Sequence, residues 1–255
     1  MSVCIVIPAR LGSTRLPEKA LADIHGKPMI QWVYERAARV KGVDEIVVAT
    51  DHARIAAAVH AFGGKAALTP ESLASGTDRV AHVAREMREE RGSRAPAIFV
   101  NVQGDEPQLD PASVERSLEL VRSGCFPMAT PAAPLKDEAA LKNPNVVKAL
   151  VAADGRAVYF SRYPIPYSRG EIPRRAEDLC VRHHLGVYVY TTETLLKFAA
   201  LPKCPWEAAE SLEQLRALFH GIPIGAASAD RATTGVDTAE DLEIVRRAFE
   251  ENLLS

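Results

Sequence analysis

The first hundred residues alternate between short apolar runs and amphipathic stretches. The apolar runs lie at 3–7, 45–49 and 97–102. Because these runs are continuously apolar, they predict strands that are covered on both faces, as in a parallel sheet. Amphipathic stretches at 28–41, 53–62 and 78–91 predict helices between them. Strands separated by single helices favour right-handed βαβ units, so the pattern predicts an α/β fold with three layers.

The second half of the chain has a different pattern, in which predicted strands are more frequent. Residues 146–151 and 157–160 are typical of a hairpin that turns at Asp154-Gly155. Further strands are predicted at 187–190 and 223–227, one helix at 207–220, and a closing helix at 238–252. We therefore predict a single domain over residues 1–255, with a β-rich insert at about 145–190.

Composition places the chain among ordinary soluble globular proteins. It has 255 residues, 47% of them hydrophobic and 25% charged, so a core can form without disulfides or structural metals. The formal charge of −2 removes the strong basic excess expected of a nucleic-acid-binding protein. The four cysteines form no CxxC pair and we see no secretory signal, so we expect free thiols in a reducing cytoplasm. The first apolar run is too short to span a membrane, so no membrane insertion is expected.

A basic loop follows the first predicted strand. Residues 8–19 combine Gly12 with two hydroxyl side chains and three cations, namely Ser13, Thr14, Arg10, Arg15 and Lys19. In an open α/β sheet, ligands bind beyond the carboxyl ends of the strands, and loop amides there can form an anion-binding nest. The loop matches neither a P-loop nor a dinucleotide fingerprint. A solvated basic loop is the alternative to a phosphate-binding loop of another kind, which we favour.

Two acidic residues are candidate magnesium ligands. Asp105 follows a predicted buried strand, and Asp237 precedes the closing helix. Magnesium prefers one or two carboxylates together with phosphate oxygens of a substrate. The alternatives are a strand-end turn at Asp105 and a plain helix N-terminus at Asp237, with Thr238 as the N-cap. About half of the chain separates the two carboxylates, so spacing alone does not show that they meet.

Two further groups of polar residues have both a structural and a functional interpretation. Ser75, Gly76 and Thr77 precede a predicted helix, so they form either an N-cap or a binding site for a base or phosphate at free helix amides. A later group consists of Arg162, His183, His184, Tyr188, Glu207, Glu210, Glu213 and Gln214. This mixture suits an acidic polyhydroxy ligand whose carboxylate binds an arginine. Adjacent histidines on a strand point to opposite faces, so a histidine metal site is not expected.

Taken in order, the motifs resemble those of the 3-deoxy-manno-octulosonate cytidylyltransferase family. They are PARxxSTRLP-K (8–19), SGTDR (75–79), NVQGDEP (101–107), MAT (128–130), NPNVVK (143–148), YFSR (159–162), HLGVY (184–188), LEQLR (212–216) and GVDT (235–238). The resemblance covers nearly the whole chain. It implies a three-layer nucleotide-diphospho-sugar transferase (Rossmann-like) α/β fold, a homodimer formed through the β-rich insert, and dependence on Mg²⁺. It also implies that CTP and 3-deoxy-D-manno-octulosonate (Kdo) give CMP-Kdo and pyrophosphate, which activates Kdo for lipopolysaccharide synthesis.

The same resemblance implies roles for individual residues. The implied catalytic residues are Arg10, Lys19, Asp105 and Asp237, of which the two aspartates would also bind the metal. The implied nucleotide-binding residues are Ala9, Arg10, Ser13, Thr14, Arg15, Lys19, Ser75, Gly76, Arg79, Met128, Ala129 and Thr130. The implied contacts to the sugar acid are Gln103, Arg162, His184, Tyr188, Glu210 and Gln214.

The chain departs from the family pattern at two positions, and other functions stay open. Glu18 stands where the family usually has glycine, which adds a negative charge beside the predicted triphosphate loop. Trp206 replaces a small aliphatic residue. The alternatives are a cytidylyltransferase for 8-amino-Kdo or sialate, and a nucleotide-binding regulator that has lost catalysis. A nucleic-acid-binding protein is disfavoured because no set of stacking aromatic residues accompanies the basic loop.

Overall fold

The computed structural model describes residues 1–12, 15–167, 169 and 180–253. The predicted nucleotide-binding residues Ser13 and Thr14 lie outside these described residues, as do residues 168 and 170–179 of the predicted insert. The chain divides into two compact units. The first unit comprises Met1–Pro111 and Thr233–Ser255, and the second comprises Ala112–Ala232. The predicted insert falls within the second unit, and the assignment of a single domain stays a prediction.

The first unit is built on a parallel sheet with helices packed against it. In chain order its first elements are β1 (Val3–Ala9), β2 (Asp23–Ile24), β3 (Lys27–Pro28), α1 (Met29–Ala37), β4 (Glu45–Thr50), α2 (Ala53–Ala61), β5 (Ala66–Leu68), α3 (Gly76–Arg91) and β6 (Ile98–Asn101). The strand order is β5-β4-β1-β6, and β1 is parallel to both β4 and β6. All seven residues of β1 are buried, which means that both faces of the sheet are covered. The predicted α/β fold is confirmed in this unit.

The strand order places a crevice where chemistry is expected. Connections from β1 lead to β4 on one side and from α3 to β6 on the other side, so the direction of winding reverses between β1 and β6. Ligands of open α/β sheets bind beyond the carboxyl ends of the strands at such a switch point. The basic loop follows β1, and the turn that contains Asp105 follows β6, so both lie at this edge.

Helix boundaries in the first unit differ from the predicted ones at α1. The prediction began the helix at Pro28 and continued it to residue 41, whereas Pro28 is extended, with ψ 145°, and α1 ends at Ala37. Pro28 instead pairs with Asp23 in the short β2–β3 hairpin. After Ala37 the chain tightens, because the amides of Arg39 and Val40 donate to carbonyls only three residues back.

The second unit has a mixed sheet. Its elements are α4 (Pro111–Arg122), β7 (Met128–Pro134), α5 (Glu138–Lys142), β8 (Lys148–Val151), β9 (Ala157–Ser161), β10 (Val181–His184), β11 (Tyr188–Thr191), α6 (Thr192–Ala200), α7 (Pro205–Glu210), α8 (Gln214–Phe219) and β12 (Ile224–Ser228). Strand β7 pairs antiparallel with β10 and β11 and parallel with β12. The predicted hairpin is confirmed as β8–β9, and Gly155 supplies the positive φ of 82° that its turn requires.

The predicted helix at 207–220 is wrong as a single element. The chain forms α7 and α8 instead, with Ser211 between them in the left-handed conformation at φ 52°. The Arg162 guanidinium donates to the carbonyl oxygen of Glu210 at 2.8 Å, so it satisfies a carbonyl that a continuous helix would use internally. The break turns the two short helices so that Glu207 of one pairs with Arg216 of the other.

The chain returns to the first unit with α9 (Ala239–Leu253). Thr238 caps this helix, as predicted, because its hydroxyl accepts from the Asp241 amide while the Asp241 carboxylate accepts from the Thr238 amide. The apolar face of α9 joins a buried cluster with the α1 region, formed by Ile24, Met29, Val236, Leu242, Val245 and Phe249. Among the described residues, no helix is both long and apolar enough to cross a membrane.

Gly104 lies at the carboxyl edge of the sheet, where the packing leaves no room for a side chain. A Cβ atom there would lie 2.8 Å from the carbonyl oxygen of Pro8, too close for either backbone to accept without moving. We expect Gly104→Ala to lower the free energy of unfolding by about 1–3 kcal/mol, as overpacking does. Urea denaturation followed by circular dichroism measures this.

Gly12→Ala is the matched control for that substitution, because nothing lies within 4 Å of a Cβ at Gly12. We expect it to change the free energy of unfolding by less than about 0.5 kcal/mol. Equal effects of the two substitutions would contradict the proposed close approach of the two turns.

Candidate active site

The basic loop after β1 lines a cavity of about 350 Å³ at the carboxyl edge of the first unit's sheet. The cavity is lined by Pro8, Ala9, Arg10, Gly12, Arg15, Lys19, Ala20, Gly76, Gln103, Gly104, Asp105 and Asp237. Eight of these residues carry predicted functional roles, so tertiary structure brings together parts of the chain that the sequence could only name separately. A hydrogen bond from Arg10 to the carbonyl oxygen of Leu73, 2.9 Å long, ties the basic loop to the chain before α3.

The two candidate metal ligands meet in this cavity. The amide of Val236 donates to the carbonyl oxygen of Asp105 at 2.8 Å, which holds the segment before α9 against the turn after β6. The Lys19 ammonium then lies 2.5 Å from Asp105 Oδ2 and 3.1 Å from Asp237 Oδ1. Both carboxylates therefore converge on one cationic position, as a divalent-ion site requires.

Three cationic and two anionic side chains line the cavity. Burial opposes the charged form of Lys19, but the Asp105 and Asp237 carboxylates outweigh it and raise the pKa of the lysine above its usual value. Arg15 also pairs with Asp237 at 3.1 Å, although its side chain is mostly exposed. Lys19 is therefore fully charged at neutral pH and is the cation best placed to interact with both carboxylates.

A third carboxylate lies behind the pair. Burial and the neighbouring Asp105 charge raise the pKa of Glu106 to about 7, while the Thr233 hydroxyl donates to its Oε2 at 3.1 Å. A Cβ at Gly235 would lie 3.0 Å from Glu106 Oε1, so the GVDT segment packs closely over this carboxyl group. In the sequence, Glu106 is noted only as part of the NVQGDEP motif. Thr233 was missed, because an isolated threonine carries no motif.

The SGTDR motif forms the N-terminus of α3. Ser75 is the N-cap of a capping box: its hydroxyl accepts from the Asp78 amide, and the Asp78 carboxylate accepts from the Ser75 amide. Gly76 faces the cavity, since a Cβ there would lie 3.2 Å from the Pro8 ring and 3.5 Å from Gln103 Oε1. The structural interpretation of Ser75 is thus correct, and nucleotide contacts of Ser75 and Gly76 stay predictions.

Arg79 is a fully buried cation in the first unit. Its guanidinium donates to the Asp51 carboxylate and to the Thr69 hydroxyl, both at 2.5 Å. These partners follow β4 and β5, so the arginine holds together the loops at the carboxyl ends of two strands. A nucleotide contact of the Arg79 side chain stays a prediction; its observed partners are within the protein.

The family departure at Glu18 is compensated within the chain. Glu18 adopts a left-handed conformation with φ 54°, and its two carboxylate oxygens accept hydrogen bonds from Nη1 and Nη2 of Arg54. The bonds from Arg54 lower the pKa of the Glu18 carboxyl group. The expected repulsion of a triphosphate is therefore offset by a paired arginine beside it.

In the second unit, the predicted nucleotide-binding residues Met128, Ala129 and Thr130 are fully buried in β7. Thr130 has a clear structural task, since its hydroxyl lies 3.0 Å from the carbonyl oxygen of Leu185 and 2.7 Å from that of Val187. It thereby supports the β10–β11 connection, which carries the HLGVY motif. The predicted nucleotide contacts of these three residues stay predictions.

His184 and Tyr188 form an aromatic cluster in the second unit. The His184 ring lies 4.9 Å from the Phe160 ring and 5.4 Å from the Tyr188 ring, centre to centre. Burial, with a smaller contribution from the His183 charge, lowers the pKa of His184 to about 3, so its ring is neutral. Burial likewise raises the pKa of Tyr188 well above its usual value. Both side chains can therefore act only as neutral hydrogen-bonding groups.

Arg162 and Glu210 belong to a connected polar network. The Ser161 hydroxyl and the Arg162 amide donate to the two Glu210 carboxylate oxygens at 2.6 and 2.9 Å. The Arg162 guanidinium donates to the carbonyl oxygens of Pro144 and Glu210. Arg162 thus orients Glu210 and the chain directly after β9. A contact between Arg162 and a ligand carboxylate stays a prediction.

Two of the predicted sugar-acid contacts in the second unit bury a side-chain nitrogen that has no hydrogen-bond partner among the described residues. The two nitrogens are His184 Nε2 and Gln214 Nε2. A buried polar atom without a partner costs about 1–3 kcal/mol of stability. Such atoms are typical of places where a polar ligand or an ordered water supplies the partner.

Glu207 has a structural role instead of the ligand-facing one considered for it. Its two carboxylate oxygens accept from Arg216 Nε at 2.8 Å and Nη2 at 2.6 Å, and both side chains are buried. Burial alone would raise the pKa of Glu207, but the bonds from Arg216 hold it below its usual value. This bidentate pair joins α7 to α8.

Comparison with known proteins identifies the family. A family model described as cytidylyltransferase matches residues 4–224. The chain is 48% identical to a 3-deoxy-manno-octulosonate cytidylyltransferase of Pseudomonas fluorescens, over 96% of this chain and 97% of that protein. It is 44% identical to one of Vibrio cholerae serotype O1, over 98% and 99% of the two chains. The chain belongs to the 3-deoxy-manno-octulosonate cytidylyltransferase family.

Solved structures support the same family assignment. CMP:2-keto-3-deoxy-manno-octonic acid synthetase, solved in complex with CTP, matches with a TM-score of 0.89 and 44% identity, over 99% of this chain and all of that one. A 4-diphosphocytidyl-2C-methyl-D-erythritol synthase from Anaerococcus prevotii has a TM-score of 0.64 at 12% identity, over 98% and 96% of the two chains. The latter shows only that the fold is shared. The predicted family and fold class are confirmed.

The donor set of this cytidylyltransferase fits a magnesium ion that shares its coordination with a substrate. No group of three or more histidine, cysteine or acidic side chains suited to a metal occurs in the part of the chain that the structure describes. Asp105 and Asp237 nevertheless converge on the Lys19 ammonium. Two carboxylates completed by phosphate oxygens are the set that magnesium prefers at nucleotide sites.

The buried pair in this cytidylyltransferase predicts a pH-dependent stability difference. We expect Glu207→Gln to lower the free energy of unfolding at pH 7 by up to about 3–5 kcal/mol, because the charge of Arg216 loses its buried partner. The pKa of Glu207 is lower in the folded than in the unfolded chain. Its contribution is therefore complete above the unfolded pKa and is lost as the pH falls through the folded one.

Urea unfolding between pH 7 and pH 3 checks this prediction. The difference between the wild type and Glu207→Gln should shrink toward the acidic end. Glu138→Gln is the control, since Glu138 pairs with Lys142 on an exposed helix face and should change stability by less than about 1 kcal/mol. A difference that stays constant with pH would contradict the role given to the Glu207 carboxylate.

Proposed function

We propose that this protein transfers a cytidylyl group from CTP to Kdo, giving CMP-Kdo and pyrophosphate. The observation that carries the proposal is the convergence of Lys19, Asp105 and Asp237 beside the basic loop at the switch point of the first unit's sheet. Membership of the family and the similarity to a synthetase solved with CTP support the same reaction. The chemistry is an in-line attack of the anomeric hydroxyl on the α-phosphorus of CTP.

The cations of the basic loop would bind the triphosphate of CTP. Arg10, Arg15 and Lys19 line one cavity and would neutralise charge that develops on departing pyrophosphate, which is the main source of catalysis in phosphoryl-type transfers. The hydrogen bond from Arg10 to Leu73 and the short 3₁₀ turn over Lys19–Leu21 fix where these cations stand. Small residues, Ala9 and Gly76, leave room for the cytidine beside the N-terminus of α3.

Asp105 and Asp237 would hold Mg²⁺ in this reaction. A bound ion would neutralise phosphate charge and lower the pKa of the attacking hydroxyl. The contribution of the chain itself is to hold the two carboxylates at one place, through the bond from Val236 to Asp105 and the capped start of α9. A second Mg²⁺ would be bound by the triphosphate.

In the second unit, buried polar atoms support binding of a polyhydroxy acid. His184 and Gln214 each bury a ring or amide nitrogen that has no partner among the described residues, so sugar hydroxyls would complete their hydrogen bonds. Glu210 is held by Ser161 and Arg162, and Tyr188 stays neutral because burial raises its pKa. In the first unit, the predicted sugar-acid contact Gln103 is oriented by a bond from its side-chain amide to Asn101.

The proposal extends to the setting of the reaction. A homodimer formed through the β-rich region, a cytoplasmic location and a role in supplying activated Kdo for lipopolysaccharide follow from the family resemblance. Competing proposals are the same transfer to 8-amino-Kdo or sialate, and a regulator that binds nucleotide without turnover. No observation on the described residues favours these over Kdo.

Pyrophosphate release tests the proposed substrate. The protein is incubated with CTP and Mg²⁺ together with Kdo, 8-amino-Kdo or N-acetylneuraminate, and a reaction without sugar acid is the blank. We expect rapid release with Kdo and little with N-acetylneuraminate. Release only with N-acetylneuraminate would show that sialate is the substrate in place of Kdo. Release with none of the three sugar acids would favour a regulator that binds nucleotide without turnover.

The aspartate pair gives a prediction about turnover. We expect Asp105→Asn to reduce kcat by at least ~10²-fold, the scale of losing one preorganised charge in an active site. The melting temperature should change little, since Lys19 keeps Asp237 as a partner and Asp105 keeps its backbone bond to Val236. Steady-state kinetics and thermal denaturation measure the two effects.

Asp230→Asn is the matched control for Asp105→Asn. Asp230 pairs with Arg116 in the second unit and its side chain is 76% exposed, so its turnover should equal that of the wild type. Wild-type turnover in Asp105→Asn would contradict the assignment of Asp105 to the metal.

A further inference from the structure

The Lys19 ammonium stands at the position where a divalent cation would bind Asp105 and Asp237. It lies 2.5 Å from Asp105 Oδ2 and 3.1 Å from Asp237 Oδ1. The side chain is only 16% exposed, and Asp105 is 30% exposed. Asp237 is 49% exposed, so the ammonium is the most shielded of the three groups. Two of its three hydrogens are engaged by the two proposed metal ligands.

A lysine and a metal ion cannot share these oxygens at these distances. Mg²⁺ lies about 2.0–2.1 Å from carboxylate oxygens and demands octahedral geometry, and a cation within a few ångströms repels it strongly where water is partly excluded. Metal binding to the aspartate pair therefore requires the ammonium to move away. A nucleotide triphosphate is the ligand of this site that offers Lys19 replacement oxygens.

We infer that Lys19 competes with the divalent cation for Asp105 and Asp237, so that the metal enters the aspartate pair together with a triphosphate and not before it. This inference rests on the proposed function, because it takes the aspartate pair as the metal site. Its consequence is positive coupling between triphosphate and metal. Each ligand favours the arrangement in which Lys19 has left the carboxylates, and the coupling is reciprocal.

Arg15 does not provide the same competition. It contacts Asp237 Oδ1 alone, at 3.1 Å, and its side chain is 64% exposed. An exposed pair of this kind contributes little, because solvent and salt screen it. Lys19 is the cation on the described residues of this site that bridges both carboxylates while being mostly buried.

Binding of Mn²⁺ to the nucleotide-free protein tests the inference. Electron paramagnetic resonance of free Mn²⁺ gives the dissociation constant for the wild type, Lys19→Met and Lys19→Met/Asp105→Asn. We expect Lys19→Met to bind Mn²⁺ at least ~10-fold more tightly than the wild type, since a contacting positive charge is removed. The gain should disappear in the double variant.

Lys27→Met is the matched control. Lys27 is a lysine of the same unit whose ammonium pairs with Glu35 at 2.8 Å and does not contact either aspartate. It should bind Mn²⁺ as the wild type does. A second readout is the melting temperature, which Mn²⁺ should raise more in Lys19→Met than in the wild type because the ligand stabilises the folded state that binds it.

The outcomes separate this inference from the proposed substrate. Equal Mn²⁺ affinity in Lys19→Met and the wild type, or tight binding that survives in the double variant, overturns the competition. Because the measurement needs neither CTP nor a sugar acid, it can succeed even if pyrophosphate release shows that Kdo is not the substrate. Conversely, Kdo-dependent release of pyrophosphate together with unchanged Mn²⁺ affinity in Lys19→Met would support the proposed substrate and contradict the competition by Lys19.

Discussion

One backbone hydrogen bond, from the Val236 amide to the Asp105 carbonyl oxygen, positions the chemistry of the first unit. It holds a segment from the end of the chain against the turn after β6, so that Asp237 reaches the same cation as Asp105. A single bond contributes only about 1 kcal/mol. Its alignment therefore depends on the apolar packing of α9 behind it, where Val236 is itself part of the buried cluster. The group of charged side chains around Lys19 is thus positioned by the apolar packing of α9.

The buried polar side chains of the second unit fall into two groups, which differ in whether they have hydrogen-bond partners. Lys148 is fully buried, and its ammonium donates to the carbonyl oxygens of Asn143 and Arg162, while Arg216 and Glu207 satisfy each other. These groups have hydrogen-bond partners within the protein, as stable buried charges require. His184 and Gln214 differ, since each buries a nitrogen without a partner among the described residues. The contrast distinguishes buried polar groups that are paired within the protein from buried nitrogens for which the described residues supply no partner.

The sequence pattern predicted strands and helices correctly where the local preference of the residues agrees with their packing in the fold. The continuous apolar run at the start of the chain became β1, and Asp154-Gly155 became the β8–β9 turn. Strand β7 was not predicted, because Met128–Pro134 contains two prolines and three alanines, which propensity places outside central strands. Its pairing with β10, β11 and β12 overrides that preference. The helix at 207–220 failed for the opposite reason, since its periodicity was suitable but Arg162 and the Glu207–Arg216 pair stabilise two shorter helices.

By itself the sequence determined the family, the α/β class and most residues that line the cavity, because motif order and apolar periodicity are properties of the chain that need no coordinates. It also offered N-caps at the starts of α3 and α9 as one of two interpretations, since capping depends on residues three positions apart. Only the tertiary structure decided that Asp105 and Asp237 share Lys19, that Glu18 is neutralised by Arg54, and that Arg79 is engaged by Asp51 and Thr69. Each of these is a contact between side chains far apart in the chain, and spacing along a sequence carries no information about such distances until the strands and helices are packed.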